Sequence, residues 1–208
     1  NSNNPLTVER FKDLMNLKNV IVLAVRHQNE FRQGFIPGSI FIGLKGSFAP
    51  WAGSIIKDLS TKILLVCDNG FEEEAILRLS RVGFDNCLGY LDGGISSWTS
   101  GNNIDIVESI SADDLSKIID SVNLIDVRKS GERSNGYLLN SKHISLDDFQ
   151  EKINEIDSNN SNYVHCAGGY RSMIACSILK RNGYDSVIDV NGGFSSIRNS
   201  NFKIINNV

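Results

Sequence analysis

Several things are scarce or missing in this sequence, and each absence narrows what it can be. Proline occurs three times in 208 residues, and so does histidine. The cysteines, Cys67, Cys87, Cys166 and Cys176, form no CxxC pair, and His27, His143 and His165 stand in no zinc-like spacing, so no metal site is expected. Chains that bury ordinary cores do not need a disulfide framework, and a reducing, cytoplasmic setting is the expectation. No apolar stretch approaches the length that would cross a bilayer. There is no basic run either. Residues 1–102 carry ten Lys/Arg against ten Asp/Glu, and 103–208 carry eleven against fourteen, which argues against nucleic acid or an anionic membrane as partner. The chain opens "NSNNP", without methionine or a signal segment, and so reads as a piece of something longer.

What is present is a repeat. "AVRHQNEFRQGFIPGSIFIGL" (24–44) aligns without a gap on "DVRKSGERSNGYLLNSKHISL" (126–146), and "RVGFDNCLGYLDGGISSW" later matches "RNGYDSVIDVNGGFSSI". Two copies of one fold are expected, 1–102 and 103–208, joined by the polar "SGNNID". Each copy opens on a capped amphipathic helix, Thr7 preceding Phe11 and Leu14, and Ser111 preceding Leu115, Ile118 and Ile119. Short branched runs follow ("VIVLAV" and "NLIDV", "KILLV" and "NYVH", "NCLGYL" and "SVIDV"), as suits strands of a parallel sheet buried on both faces. Helices ended by Gly83 and Gly183 lie between the last two runs of each copy. The expected fold is α/β: two tandem domains, each a mainly parallel five-stranded sheet flanked by helices.

Chemistry in such sheets collects beyond the carboxyl ends of the strands. There the second copy reads "YVHCAGGYRS". Gly168 and Gly169 accept positive φ, so successive amides can turn inward as an anion-binding nest, and a helix beginning near Arg171 or Ser172 adds its positive end. Arg171 adds a full charge. All three favour a thiolate at Cys166, the reactive form of cysteine. A nucleotide-binding P-loop is excluded by the missing Gly-Lys-Ser/Thr ending, and a thioredoxin-like site lacks its second cysteine. A cysteine hydrolase needs a histidine base, and strand alternation turns His165 away from the sulfur. A phosphatase-like loop or a sulfur-transfer loop remains.

Here the residues resemble the rhodanese sulfurtransferases. The loop Cys166–Arg171 has that family's six-residue length, one shorter than the loop of phosphatases of related fold. "LIDVR", "EFRQGFIPGSIFI" and the glycine pair after the last strand match as well, so the resemblance covers almost the whole chain. It implies a ping-pong enzyme without metal or organic cofactor. Cys166 would take a sulfane sulfur from thiosulfate or a low-molecular-weight persulfide and pass it to a thiol or cyanide. It further implies that amides of Ala167, Gly168, Gly169, Tyr170, Arg171 and Ser172 steady the anionic sulfur, that Arg171 holds the donor, and that Asp126 and Arg128 brace the loop.

The first copy departs from that pattern. Cys67 keeps its glycine at Gly70, but Glu72 and Glu73 stand in place of Arg171 and Ser172, Asp68 and Glu74 add charge, and Ala24 replaces Asp126. Negative charge disfavours a thiolate, and counting back from Gly83 sets Cys67 opposite Ala167, so this copy reads as degenerate and inactive. Cys87 and Cys176 read as core residues, His165 as structural, and "FAPWAG" as a segment packed on its own domain. "GFIPGSIFIGLKGSFAPWAGSII" and "DNGFEEEAILRLSRVGFDNCLGYLDGG" also resemble the tandem rhodanese tail of bacterial fusions with a metallo-β-lactamase-type domain, similar to persulfide dioxygenases. That implies a second expectation: a non-enzymatic docking or sulfur-relay module serving an oxygenase domain absent from this chain.

Overall fold

A computed structural model describes residues 3–206. In the first copy β1 (Pro5–Leu6), β2 (Val20–Ala24), β3 (Ile40–Phe41), β4 (Lys62–Val66) and β5 (Cys87–Leu91) form one sheet in the order β1-β5-β4-β2-β3, every pair parallel. Helices α1 (Val8–Met15), α2 (Gln28–Phe31), α3 (Phe48–Ile55), α4 (Glu72–Ser80) and α5 (Gly94–Thr99) connect and cover it. The second copy repeats the plan. Its strands β6 (Glu108–Ile110), β7 (Asn123–Asp126), β8 (Ser141–His143), β9 (Asn162–His165) and β10 (Val187–Val190) are ordered β6-β10-β9-β7-β8, again all parallel. Its helices are α6 (Ala112–Ile118), α7 (Ser130–Ser134), α8 (Tyr170–Arg181) and α9 (Gly193–Arg198). The expected α/β architecture is the one observed.

The compact units meet between Ile106 and Val107. The first extends that far because Phe35 and Asp105 exchange backbone hydrogen bonds of 3.0 and 2.9 Å, as Tyr137 and Ile205 do at 2.9 Å each in the second. Both opening helices are capped as the sequence indicates. The Thr7 hydroxyl accepts from the Arg10 amide at 3.3 Å, and the Ser111 hydroxyl from the Asp114 amide at 3.0 Å, each satisfying a first-turn N–H that the helix cannot. The middle strands are apolar runs because helices cover both faces: Leu23, Ile63, Leu64 and Leu65 are fully buried, each worth roughly 1.5–3 kcal/mol. Phe48 and Trp51 of the "FAPWAG" segment are buried in their own unit. Cys87 and Cys176 are buried too, and no helix among the described residues is long and apolar enough to cross a membrane.

Sheet register corrects one expectation. Val66 pairs with Ala24 just as His165 pairs with Asp126, and a Cβ on Gly94 would meet the Cys67 carbonyl as one on Gly193 would meet that of Cys166. Cys67 therefore occupies the place of Cys166, not of Ala167. Counting back from Gly83 misled because the first copy is one residue shorter between cysteine and helix end. It regains that residue where the β4–β5 pairing shifts register between Ile63 and Leu64, an irregularity invisible in strand composition.

Candidate active site

Strand β9 is central in its sheet, with β7 on one side and β10 on the other, and its carboxyl end delivers Cys166 to the mouth between them. The chain then turns sharply. Its outward carbonyls are tied down first: Cys166 O accepts from Phe194 N at 2.7 Å, and Ala167 O accepts from the amide and hydroxyl of Ser195, each at 3.1 Å. Both donors belong to the first turn of α9. A side chain at Gly193 would stand 2.6 Å from the Cys166 carbonyl, so the second glycine of "NGG" is what lets this helix end reach the loop. Gly169, at φ +113°, reverses the chain so that its amide points inward and donates to Cys166 Sγ at 3.1 Å. α8 starts directly after it, at Tyr170, placing the positive helix end beneath the sulfur.

The loop is braced from β7. Asp126 is wholly buried and accepts from Arg128 Nε at 2.9 Å, Arg128 Nη2 at 2.7 Å and Arg133 Nη1 at 3.0 Å. Burial by itself would raise the Asp126 carboxyl, but the Arg128 hydrogen bonds and charge outweigh it and hold the group down at about 2. The Arg128 guanidinium in turn lies 3.7 Å from the centroid of the Phe194 ring, linking the ion pair to the helix that holds the loop carbonyls. His165 is buried beside the same ring, its Nδ1 3.3 Å from Cys166 O, and burial lowers it to about 4, so it is neutral near pH 7. It fills a structural position.

Arg171 has a partner that its sequence position does not announce. Both terminal nitrogens grip the Glu132 carboxylate, at 2.6 and 2.7 Å, so the guanidinium is clamped to α7. Ser172 is wholly buried, with its hydroxyl 3.6 Å from Cys166 Sγ and 2.6 Å from Asp189 Oδ1 on β10. Ala167, Gly168 and Tyr170 complete the loop. Glu132, Arg133, Asp189 and the Phe194–Ser195 pair were not among the residues singled out from sequence. Glu132 did leave a signal, because the gapless repeat alignment pairs it with Glu30. Asp189 left only an acid inside an otherwise apolar strand.

The model of the rhodanese-like domain matches this chain twice, over residues 7–101 and 111–200. The chain belongs to the rhodanese-like family. An uncharacterized Bacillus subtilis protein, YqhL, is 34% identical over 71 residues, which are 34% of this chain and 56% of that one. A protein of Allochromatium vinosum named a sulfurtransferase is 26% identical over 91 residues, 42% of this chain and 85% of that one. Among solved structures, a rhodanese-related protein from Thermoplasma volcanium is 31% identical, covering 47% of this chain and 97% of that chain at a TM-score of 0.45. The chain spans about half the length of the first curated relatives it matches.

The first rhodanese-like domain keeps the backbone and changes the occupant. Gly70, three residues after Cys67 and at φ +90°, again turns its amide inward, but that amide donates to the Glu72 carboxylate at 2.8 Å. Burial raises the Cys67 thiol well above its ordinary range, and the charges of Glu72 and Asp68 add to the effect. Burial also raises the Asp68 carboxyl, with Glu30 second. Arg26 is buried like Arg128 but faces Ala24, so it is left with Gly34 O at 2.6 Å and a buried Nε without a hydrogen-bond partner. Glu73 sits at the rim, accepting from the Asn3 side chain at 3.1 Å.

Proposed function

We propose that the second rhodanese-like domain is a sulfurtransferase whose nucleophile is Cys166. The sulfur attacks the sulfane sulfur of thiosulfate or of a low-molecular-weight persulfide. An S–S bond forms at Cys166 as the donor's own S–S bond breaks, and sulfite or a thiolate departs with the electron pair. The persulfide then gives its terminal sulfur to a thiol or cyanide and leaves Cys166 as the thiolate. The observation that carries this reading is the Gly169 amide aimed at Cys166 Sγ from a loop whose carbonyls are tied away from it. Further amides of the loop and the clamped Arg171 would steady a terminal sulfur carrying negative charge. The sulfurtransferase name of the Allochromatium vinosum relative supports the same reaction class.

Intact-mass measurement tests it directly. Thiosulfate or glutathione persulfide should add one sulfur atom to the wild type and to Cys67→Ser, and none to Cys166→Ser. An adduct that survives in Cys166→Ser refutes the assignment. A wild type that takes up no sulfur, yet raises the turnover of a metallo-β-lactamase-type oxygenase, moves the reading to a docking or relay module.

A further inference from the structure

Cys166 is 1% exposed, so a proton leaving its thiol has little water to go to. What it has instead is Ser172, 3.6 Å away, and behind that Asp189, with the serine wholly buried and the aspartate 5% exposed. The serine hydroxyl owns one hydrogen. Its oxygen lies 2.6 Å from Asp189 Oδ1 and 3.2 Å from Gly169 O, and the shorter contact with the carboxylate takes it. The oxygen's lone pairs are then free to accept from the thiol. The three groups thus form one directed chain from sulfur to carboxylate.

We propose that Ser172 and Asp189 form a proton relay that ionises Cys166, with Asp189 as the positioning residue that stores the proton. The inference rests on reading Cys166 as the nucleophile. The Sγ–H bond breaks as its proton passes to Ser172 Oγ, the hydroxyl proton passes on to Asp189 Oδ1, and the electron pair stays on sulfur. In that state the serine hydroxyl points at the sulfur anion and joins the Gly169 amide in stabilising it. When the sulfur is handed on and Cys166 leaves as the thiolate, the proton can return by the same path. Net charge moves from Asp189 to Sγ without the site gaining charge, which a sealed interior tolerates better than creating a new buried anion.

Charged and titratable groups near the trio include Cys176 and Lys180 from α8, His165 at the end of β9, Asp126 at the end of β7 with Arg128 just beyond it, and Arg171 with its partner Glu132. Cys176 is fully buried, and its thiol is pushed up by burial first and by Asp189 next, so it stays protonated. The Cys166–Ser172–Asp189 contacts supply a route for the proton.

The test is the rate of Cys166 alkylation by iodoacetamide from pH 4.5 to 9, read on the Cys166 peptide by mass spectrometry in the full chain. It needs no sulfur donor, so it stands or falls apart from the transfer reaction. In the wild type the relay gives a rate nearly independent of pH down into the carboxylate range, because thiol and carboxylate share one proton. Asp189→Asn and Ser172→Ala should instead fall about tenfold per pH unit below a single midpoint, since their thiol titrates alone. Ser172→Thr, which keeps the hydroxyl, should restore the plateau. A wild type with a single tenfold-per-unit decline overturns the relay. So does an Asp189→Asn profile superimposed on the wild type, or a plateau in Ser172→Ala. Thermal unfolding of each variant confirms that folded protein is being compared.

Discussion

The two loops of this chain are built on one backbone and do opposite things with it. Both leave a central strand at a cysteine, both reverse at a glycine three residues on, and both lie under a helix end held close by a second glycine. In the second domain the inward amide meets Cys166 Sγ, whereas in the first the equivalent amide meets the chain's own carboxylate, Glu72. The cradle for an anion is thus a property of the fold, and what fills it is decided by a few side chains. The same contrast recurs one layer down. Arg128 and Arg26 both reach a glycine carbonyl, but only Arg128 has an aspartate two residues before it, at the end of β7.

That buried ion pair gives the largest expected effect. Asp126→Ala turns the second domain into a replica of the first at this point, leaving Arg128 and Arg133 buried or half-buried without their carboxylate. Breaking a buried pair from one side costs about 3–5 kcal/mol. Arg26→Met in the first domain, where the pair is already missing, should change stability by no more than about 1 kcal/mol. Hydrogen exchange of peptides from β7, β9 and β10 reads the first case. Urea unfolding followed by tryptophan fluorescence reads the second, because Trp51 and Trp98 both lie in the first domain. Equal costs in the two domains would mean that Asp126 is dispensable to its fold.

Much of this contrast is legible in the sequence. Alternation of branched runs with capped helices is local chemistry, so the duplicated α/β plan can be read residue by residue. The loss of aspartate at Ala24 and of positive charge at Glu72 and Glu73 shows in the repeat alignment. Contacts made across the fold do not show. Nothing local says that α7 brings Glu132 against Arg171, or that "VIDV" points its acid at a serine seventeen residues earlier. The loop residues themselves set Cys67 against Cys166, whereas the helix end points one residue away, and the register shift by which the first copy regains that residue leaves no mark in strand composition.

Acid should separate the domains next, by somewhat less. His165 is held at about 4, below the 6.5 of a free imidazole, because burial penalises its charged form, so the unfolded chain binds its proton more readily. Its contribution is present above pH 6.5 and is lost as pH falls from 6.5 towards 4, about 3 kcal/mol in all. Asp126, at about 2 against an ordinary 3.8, adds a further loss of about 2 kcal/mol between those two values. The first domain has Val66 and Ala24 at these positions, and its Asp68, whose carboxyl is raised, works the other way: its folded form gains as the group takes up a proton. Between pH 7 and pH 4.5, where His165 acts and Asp126 does not yet, the urea midpoint should fall further for the circular-dichroism transition of the second domain than for the tryptophan transition of the first. Parallel shifts would show that His165 is reached by water in the folded state.

The smallest effect is expected where the two loops differ most visibly. Glu72→Gln removes the carboxylate that fills the first nest and takes one negative charge from beside Cys67. It does not unbury the thiol, and burial is the largest of the causes that hold Cys67 protonated. The variant should therefore raise Cys67 alkylation by less than about tenfold, a single pKa unit, and leave it without a sulfur adduct after thiosulfate treatment. A first domain that took up sulfur after this one change would place the whole difference between the loops in Glu72. Its failure to do so would assign the difference to what Cys166 has around it and Cys67 lacks: the Asp126–Arg128 brace, the Arg171–Glu132 clamp, and a buried serine that can take a proton.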